Sequence, residues 1–206
     1  MNLGITDRLA PVLEAVRTFI RERVEPVEEE FLAEVGNGER WALNTRQQEI
    51  LEGLKSAARE QGLWNFWLTD SERGHGLTTV DYAYLAEETG RSLLAAAAFN
   101  CSAPDTCNME VIERFVSDEL NREWLDPLLE GKIRSAFAMT DPDVASSDAT
   151  NISTTAVLEG GEWVINGEKT YISGAGDHRC RILIVMALTN PDAARHQQHS
   201  QILVPM

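Results

Sequence analysis

The sequence predicts an α+β fold in which a helical domain, residues 1–131, precedes an antiparallel β-domain, residues 132–206. Apolar residues recur every three or four positions up to about residue 130, which is typical of helices. After Gly131 they recur at every second position, which is typical of strands. Because the two patterns occupy separate blocks and do not alternate, the sequence disfavours a parallel sheet built from βαβ units.

Several helices are predicted in the first block. Apolar residues from Leu9 to Val24 mark one face of a helix, which Pro26 is expected to bend or end. A second apolar stripe runs from Ile50 to Ala58, and Thr79 is placed to cap a third helix. Residues 93–99 are apolar around the whole circumference, so we expect a buried helix there.

The second block contains five predicted strands, at residues 133–139, 153–158, 163–165, 181–188 and 202–204. Gly160-Gly161 is predicted to close one hairpin, and Asn166-Gly167 a second, with Thr170 to Ile172 continuing as a strand. A small sheet that stopped at residue 206 would expose an unpaired edge, so a further segment is expected.

Composition excludes some classes of partner. The formal net charge of -15 and the lack of a basic patch argue against nucleic acid. Three cysteines without C-x-x-C spacing predict neither a disulfide framework nor a zinc site, and indicate reduced thiols in a cytoplasmic protein. No apolar run is long enough to predict a signal peptide or a membrane span. No metal site is predicted, because His196 and His199 lack a nearby carboxylate.

A candidate binding loop follows the first strand. The strand residues Phe137 to Met139 lead into Thr140-Asp141-Pro142, where proline removes an amide proton and restricts the residue before it. Freed backbone amides and the hydroxyls of Thr140, Ser146 and Ser147 can hold a polar heterocycle or a phosphate. An ordinary strand exit has the same composition, so the residues alone leave both interpretations open.

This loop resembles the T-E-P-x-x-G-S-D signature of the acyl-CoA dehydrogenase family, with Asp141 in place of the usual glutamate and one extra residue before Ser147-Asp148. It resembles more closely the form M-T-E-P-D-V-A-S-S-D-A-T-N of the branch of human acyl-CoA dehydrogenase family members 10 and 11. Met139 to Asn151 differs from that form at one position. The resemblance implies a helical, then β, then helical protein, of which this chain contains the N-terminal domain and most of the middle domain, with the C-terminal helical domain absent.

The resemblance also implies FAD as the cofactor. A second family segment, N-G-x-K followed by aromatic-x-Thr/Ser, corresponds to Asn166 to Ser173. Tyr171 would stack on the flavin where tryptophan is usual, Ser173 would lie near flavin N5, and Thr140 would hydrogen-bond the pyrimidine end. Ser147 would contact both the cofactor and the thioester substrate. The cofactor-binding residues implied in this way are Phe137, Ala138, Met139, Thr140, Ser146, Ser147, Tyr171, Ile172 and Ser173. From the residues alone, Tyr171 is better interpreted as a core aromatic paired across strands.

The implied activity is the α,β-dehydrogenation of a fatty-acyl-CoA thioester in β-oxidation, by a homodimer or homotetramer that passes electrons to an electron-transferring flavoprotein. No catalytic residue is predicted in this chain, because the family's base is a glutamate of the C-terminal helical domain. The 206-residue chain alone is therefore expected to be inactive and to bind FAD weakly or not at all. The alternatives are an acyl-CoA oxidase or related flavin monooxygenase, and a non-catalytic remnant that acts as a binding or scaffold protein.

Overall fold

A computed structural model describes residues 4–69 and 72–206. The chain divides into two compact units, one ending at Thr106 and one running from Cys107 to Met206. The helices of the first unit are α1 (Leu9–Phe19), α2 (Glu25–Ala33), α3 (Thr45–Glu60), α4 (Thr79–Thr89) and α5 (Ala95–Ala98). Next come α6 (Asp105–Phe115), which begins just before the division, α7 (Asp118–Leu120) and α8 (Asp126–Leu129). The strands are β1 (Arg134–Ala138), β2 (Thr155–Glu159), β3 (Glu162–Asn166), β4 (Cys180–Leu188) and β5 (His199–Pro205).

Pro26 does not end the helical segment that begins at Leu9, so that part of the prediction is wrong. A π-helical turn, Ile20–Val24, joins α1 to α2, and the helical chain continues to Ala33. Pro26 is the second residue of α2 and lies just after this π-helical turn.

The cap of α4 is displaced by one residue from its predicted position. Thr78, not Thr79, precedes the helix, and its Oγ1 accepts a hydrogen bond from the Asp81 amide at 3.2 Å. Asp81 Oδ2 in turn accepts from the Thr78 amide at 3.0 Å, which completes a reciprocal capping box.

The core of the first unit contains a cluster of three buried aromatic rings. Phe99 lies between Phe19 and Phe66, with ring centroids 5.0 and 5.1 Å away. The predicted helix over residues 93–99 is shorter than expected, because only Ala95–Ala98 is helical and Leu93 is exposed. Leu94 and Phe99 are nevertheless buried, so the segment does contribute to the core.

The second unit contains a five-stranded sheet in the order β1-β4-β2-β3, with β5 also paired to β4. The predicted antiparallel sheet is corrected to a mixed one. The pairs β2–β3 and β4–β5 are antiparallel, whereas β1–β4 and β2–β4 are parallel. A two-residue periodicity predicts a strand but not its direction, and the long connection from β1 to β4 permits parallel pairing.

Of the two predicted hairpins, one is confirmed and one is wrong. Glu159 pairs with Glu162 across Gly160-Gly161, and both glycines have positive φ, 59° and 91°, as a tight type I′ turn requires. Beyond Asn166 the chain forms no second hairpin, because residues 167–173 are loop. Among the described residues, no helix is long and apolar enough to cross a membrane.

Candidate functional site

Two loops of the second unit meet at the end of β1. The first loop, residues 139–148, follows β1, and the second, residues 167–173, follows β3. The Thr170 amide donates to the Thr140 carbonyl at 2.9 Å, and Lys169 Nζ donates to the Met139 carbonyl at 2.8 Å. Ser173 is three residues beyond Thr170, so even an extended chain keeps its Cα within roughly 10 Å of the Thr170 Cα. The hydrogen bond from Thr170 to Thr140 therefore brings the first loop next to the segment that contains Tyr171 and Ser173.

The junction is built around the carboxylate of Asp141, which is only 3% exposed. Its Oδ2 accepts from the Ser153 amide at 2.6 Å, from Ser153 Oγ at 3.0 Å and from the Thr154 amide at 2.9 Å. Its Oδ1 accepts from Thr154 Oγ1 at 2.8 Å and from Lys169 Nζ at 2.6 Å. We call the four residues Asp141, Ser153, Thr154 and Lys169 the Asp141 cluster.

The Asp141 cluster keeps its carboxylate ionised. Burial alone raises the pKa of Asp141, but the hydrogen bonds from Lys169, Thr154 and Ser153 lower it by more. The net result is a pKa well below the usual range of an aspartate, so the group is charged at physiological pH. Lys169, whose side chain is 13% exposed, supplies the compensating positive charge.

The loop that follows Asp141 is closed by Ser146. The Ser146 hydroxyl accepts from the Asp141 amide at 3.1 Å and donates to the Asp141 carbonyl at 3.3 Å, and the residue is buried. Ser147 is exposed. The two predicted contact serines therefore differ, since the hydroxyl of Ser146 bonds the loop's own backbone and Ser147 lies at the surface.

The predicted residues of β1 alternate between the two faces of the sheet. Phe137 and Met139 are half-buried, whereas Ala138 is buried. Since successive side chains of a strand point to opposite faces, the ring of Phe137 and the methyl of Ala138 lie on opposite faces of the sheet. Met139 follows the last residue of β1 and is the first residue of the first loop.

Tyr171 is not a core residue, so its interpretation as a core aromatic paired across strands is wrong. Its side chain is 92% exposed, and its φ of 55° is uncommon for a residue other than glycine. Such a conformation persists only where its surroundings impose it, often in binding loops. Ile172 is half-buried and Ser173 is exposed. The junction thus presents an uncovered aromatic ring and uncharged hydroxyls beside paired charges.

Comparison with known families assigns both parts of the chain. The family model for the acyl-CoA dehydrogenase N-terminal domain matches residues 6–132, and that for the acyl-CoA dehydrogenase middle domain matches residues 136–206. The chain belongs to the acyl-CoA dehydrogenase family. The two matches meet between residues 132 and 136, whereas the compact units divide after Thr106, so the boundary at residue 131 stays a prediction.

Individual relatives agree with this assignment. Mouse acyl-CoA dehydrogenase family member 10 is 46% identical over 208 residues, which cover 98% of this chain and 19% of that protein. Human acyl-CoA dehydrogenase family member 11 is 44% identical over 200 residues, which cover 95% of this chain and 25% of that protein. A solved acyl-CoA dehydrogenase homologue from Mycobacterium abscessus is 50% identical with a TM-score of 0.91, and the match covers 98% of this chain and 51% of that one. The chain therefore spans about half the length of that solved relative and less of the curated ones.

Sequence reasoning missed most of the Asp141 cluster. Asp141 was singled out only as a replacement for the family's glutamate, and Lys169 only as part of a turn. Gly167 belongs to the same arrangement, because a Cβ at this position would collide with Thr154 Oγ1 and lie 2.8 Å from Thr154 Cα. The available signal was that Asp141 and Lys169 lie in the two segments that resemble the acyl-CoA dehydrogenase family.

A second aspartate of the first loop forms a surface pair. Asp148 Oδ1 accepts from the amide and the hydroxyl of Thr150, at 3.0 and 2.6 Å, and its Oδ2 lies 3.0 Å from Arg195 Nη2. These Thr150 hydrogen bonds are the main cause of a lowered Asp148 pKa. In the described ranges, no group of three or more His, Cys, Asp and Glu side chains is arranged to hold a metal ion.

Proposed function

We propose that the two loops form one edge of an FAD site and that the protein is an FAD-dependent acyl-CoA dehydrogenase. The observation that carries this proposal is the Thr170 to Thr140 hydrogen bond, which brings both predicted contact segments to one place. Family membership supports the proposal. A solved relative described as the FAD complex of PigA adds support, with 25% identity and a TM-score of 0.74 over 100% of this chain and 50% of that one.

The residues at the junction fit a flat, polar ring system. Thr140, Ser147 and Ser173 offer hydroxyl groups without a formal charge, and the exposed ring of Tyr171 offers a stacking surface. The charge of Asp141 is neutralised by Lys169 and is turned toward Ser153 and Thr154, so it does not disfavour an uncharged heterocycle.

Each residue has a proposed role in binding. Thr140 and Ser173 donate hydrogen bonds to the ring, Tyr171 stacks on it, and Ser147 contacts both cofactor and substrate. Phe137 contributes its side chain from β1 and Met139 contributes its side chain from the start of the first loop, whereas Ala138 and Ile172 contribute backbone. Ser146 keeps the loop in shape through its bonds to Asp141.

FAD, when bound, supplies a two-electron acceptor for a substrate C–H bond. Donors held at fixed positions stabilise the negative charge that appears on the ring as the electrons arrive, and they do so more strongly in the transition state than before it. The proposed contacts contain no group suited to act as a general base at neutral pH. The contribution of these loops is therefore cofactor binding and orientation.

The proposed reaction is oxidation of a fatty-acyl-CoA thioester to its 2-enoyl form, with an electron-transferring flavoprotein as acceptor and a homo-oligomer as the working state. Family membership supports this reaction class. Because the chain spans about half of the solved relative, the complete reaction is proposed for the whole family fold and not for these two compact units.

Flavin binding can be tested by titrating FAD into the protein and following its amide chemical shifts, a method that detects weak binding. We expect shifts at Thr140, Ser147 and residues 171–173. Tyr171→Ala should weaken binding by about 5- to 160-fold, as loss of a stack worth roughly 1–3 kcal/mol implies. Trp163→Ala is the matched control, since Trp163 is an exposed aromatic of β3 and should leave binding unchanged. Absence of shifts at both loops would overturn the proposal that these loops bind FAD in this chain.

A further inference from the structure

We propose that Lys169 and Asp141 are positioning residues, whose buried ion pair holds the two cofactor-contacting loops in register. The cofactor part of this inference rests on the proposed function, whereas the positioning of the loops rests on geometry alone.

The first step is the place of the ammonium group. Lys169 Nζ lies 2.6 Å from Asp141 Oδ1 and 2.8 Å from the Met139 carbonyl oxygen. It therefore binds the residue before Thr140 and the residue after it. The next residue, Thr170, donates its amide to the Thr140 carbonyl at 2.9 Å. Three consecutive residues of the first loop are thus bound by two consecutive residues of the second. A shift of either loop by one residue would break these contacts together.

The second step is the fixed position of Asp141 itself. Four hydrogen bonds from Ser153 and Thr154 hold the carboxylate at the start of β2, independently of Lys169. Lys169 therefore binds a carboxylate that is already oriented, and its side chain connects the second loop to Asp141. Burial strengthens this ion pair, because little water is present to solvate the two charges separately.

The third step is the close approach at Gly167. This glycine contacts Thr154 so closely that even a Cβ has no room, and Thr154 is itself a donor to Asp141. The second loop is consequently held at Gly167, at Lys169 and at Thr170. Tyr171, with its exposed ring and positive φ, comes directly after the last of these points. These three contacts set the direction in which the ring of Tyr171 projects.

The test compares the double variant Asp141→Asn/Lys169→Met with the wild-type chain. Changing both residues leaves no unpaired charge inside the protein, so the sheet is expected to fold. The control is Glu110→Gln/Arg114→Met, which removes an ion pair of the same 2.6 Å length that is about half exposed on α6. A third variant, Lys169→Arg, retains a cation that can reach the same two acceptors.

Two measurements are made on each variant. Hydrogen exchange of the Thr170 amide reports whether the loops remain joined, and we expect it to lose protection in the buried double variant but not in the control. Chemical shifts during an FAD titration report cofactor binding, which we expect to weaken by roughly 10- to 100-fold, the range typical when groups that support a binding shell are removed. Lys169→Arg should retain most of the Thr170 protection and most of the FAD binding. A general loss of stability in the double variant would not explain that difference.

The outcomes separate the two proposals. If the buried double variant keeps Thr170 protection, Lys169 and Asp141 do not hold the register and the inference is overturned. If protection is lost but FAD binding is unchanged, the positioning role toward the cofactor is wrong and the proposed function survives. If wild type shows no FAD-dependent shifts while Thr170 behaves as expected, the proposed function fails and the structural tie between the loops stands.

Discussion

The first loop contains two aspartates that make similar contacts in opposite surroundings. Asp141 pairs with Lys169, 28 residues away, and Asp148 pairs with Arg195, 47 residues away. Each carboxylate also accepts hydrogen bonds from a neighbouring hydroxyl and amide. The side chain of Asp141 is 3% exposed, however, whereas that of Asp148 is 50% exposed.

This difference in burial determines what each pair can do. An exposed pair gains little, because water solvates the separated ions almost as well. If a buried pair loses one member, the remaining charge has neither a partner nor water to solvate it. The ion pair at the start of the loop is therefore buried and strongly disfavours loss of either partner, whereas the exposed ion pair at the end of the loop contributes little.

The largest effect is expected from removing the buried cation. Lys169→Met leaves the Asp141 carboxylate unpaired, and we expect the free energy of unfolding to fall by about 3–5 kcal/mol. Urea denaturation followed by far-UV circular dichroism measures this change.

The matched change at the exposed pair is Arg195→Gln. Because the Arg195 side chain is 64% exposed, its loss should lower the free energy of unfolding by less than about 1 kcal/mol. Equal effects of the two variants would show that burial does not distinguish the aspartates.

A smaller effect is expected at the glycine that closes the Asp141 cluster. Gly167→Ala places a methyl group against Thr154, and we expect a loss of about 1–3 kcal/mol from overpacking. Gly53→Ala is the control, because Gly53 lies inside α3 with nothing within 4 Å of the added Cβ. That change should stabilise the protein by roughly 0.5–1 kcal/mol through helix propensity. If Gly167→Ala is stabilising as well, the second loop does not approach Thr154 as closely as described.

The last effect is a dependence of stability on pH. The folded pKa of Asp141 is depressed, so its contribution to stability is present above the unfolded pKa of about 3.9 and is lost as pH falls through the folded pKa. The difference in unfolding free energy between wild type and Asp141→Asn should be constant above about pH 5. Below about pH 4 it should shrink by at most about 1.4 kcal/mol per pH unit. Unfolding curves at several pH values measure this difference, and a decline that begins near neutral pH would contradict the assigned pKa direction.

Much of the fold could be predicted because it depends on local patterns. The five strands lie within a few residues of the predicted ranges, and the Gly160-Gly161 turn occurs where two positive φ angles are needed. Errors arose where context overrides the pattern. The helical chain continues through Pro26, which follows a π-helical turn, and Leu93 is exposed although its segment is apolar.

The candidate site was predicted in part. The two segments with Thr140 and Tyr171 were found through family resemblance, and the structure brings those segments together. Ser146 and Ser147 are both among the implied cofactor contacts, but the hydroxyl of Ser146 bonds the Asp141 backbone. Nothing in the residue types indicates which of two adjacent serines turns inward, because that depends on the path of the loop.

The sequence by itself determined that helices precede strands, where the strands lie and which two loops carry the family signature. The first two properties follow from periodicity and turn chemistry, which act between residues a few positions apart, and the third follows from the resemblance of the two segments to the acyl-CoA dehydrogenase family. Only the tertiary structure decided the directions of the strands, the exposure of Tyr171 and the burial of the Asp141 to Lys169 pair. The physical reason is that the burial of a charge or a ring depends on residues distant along the chain, and a local sequence pattern contains no information about those residues.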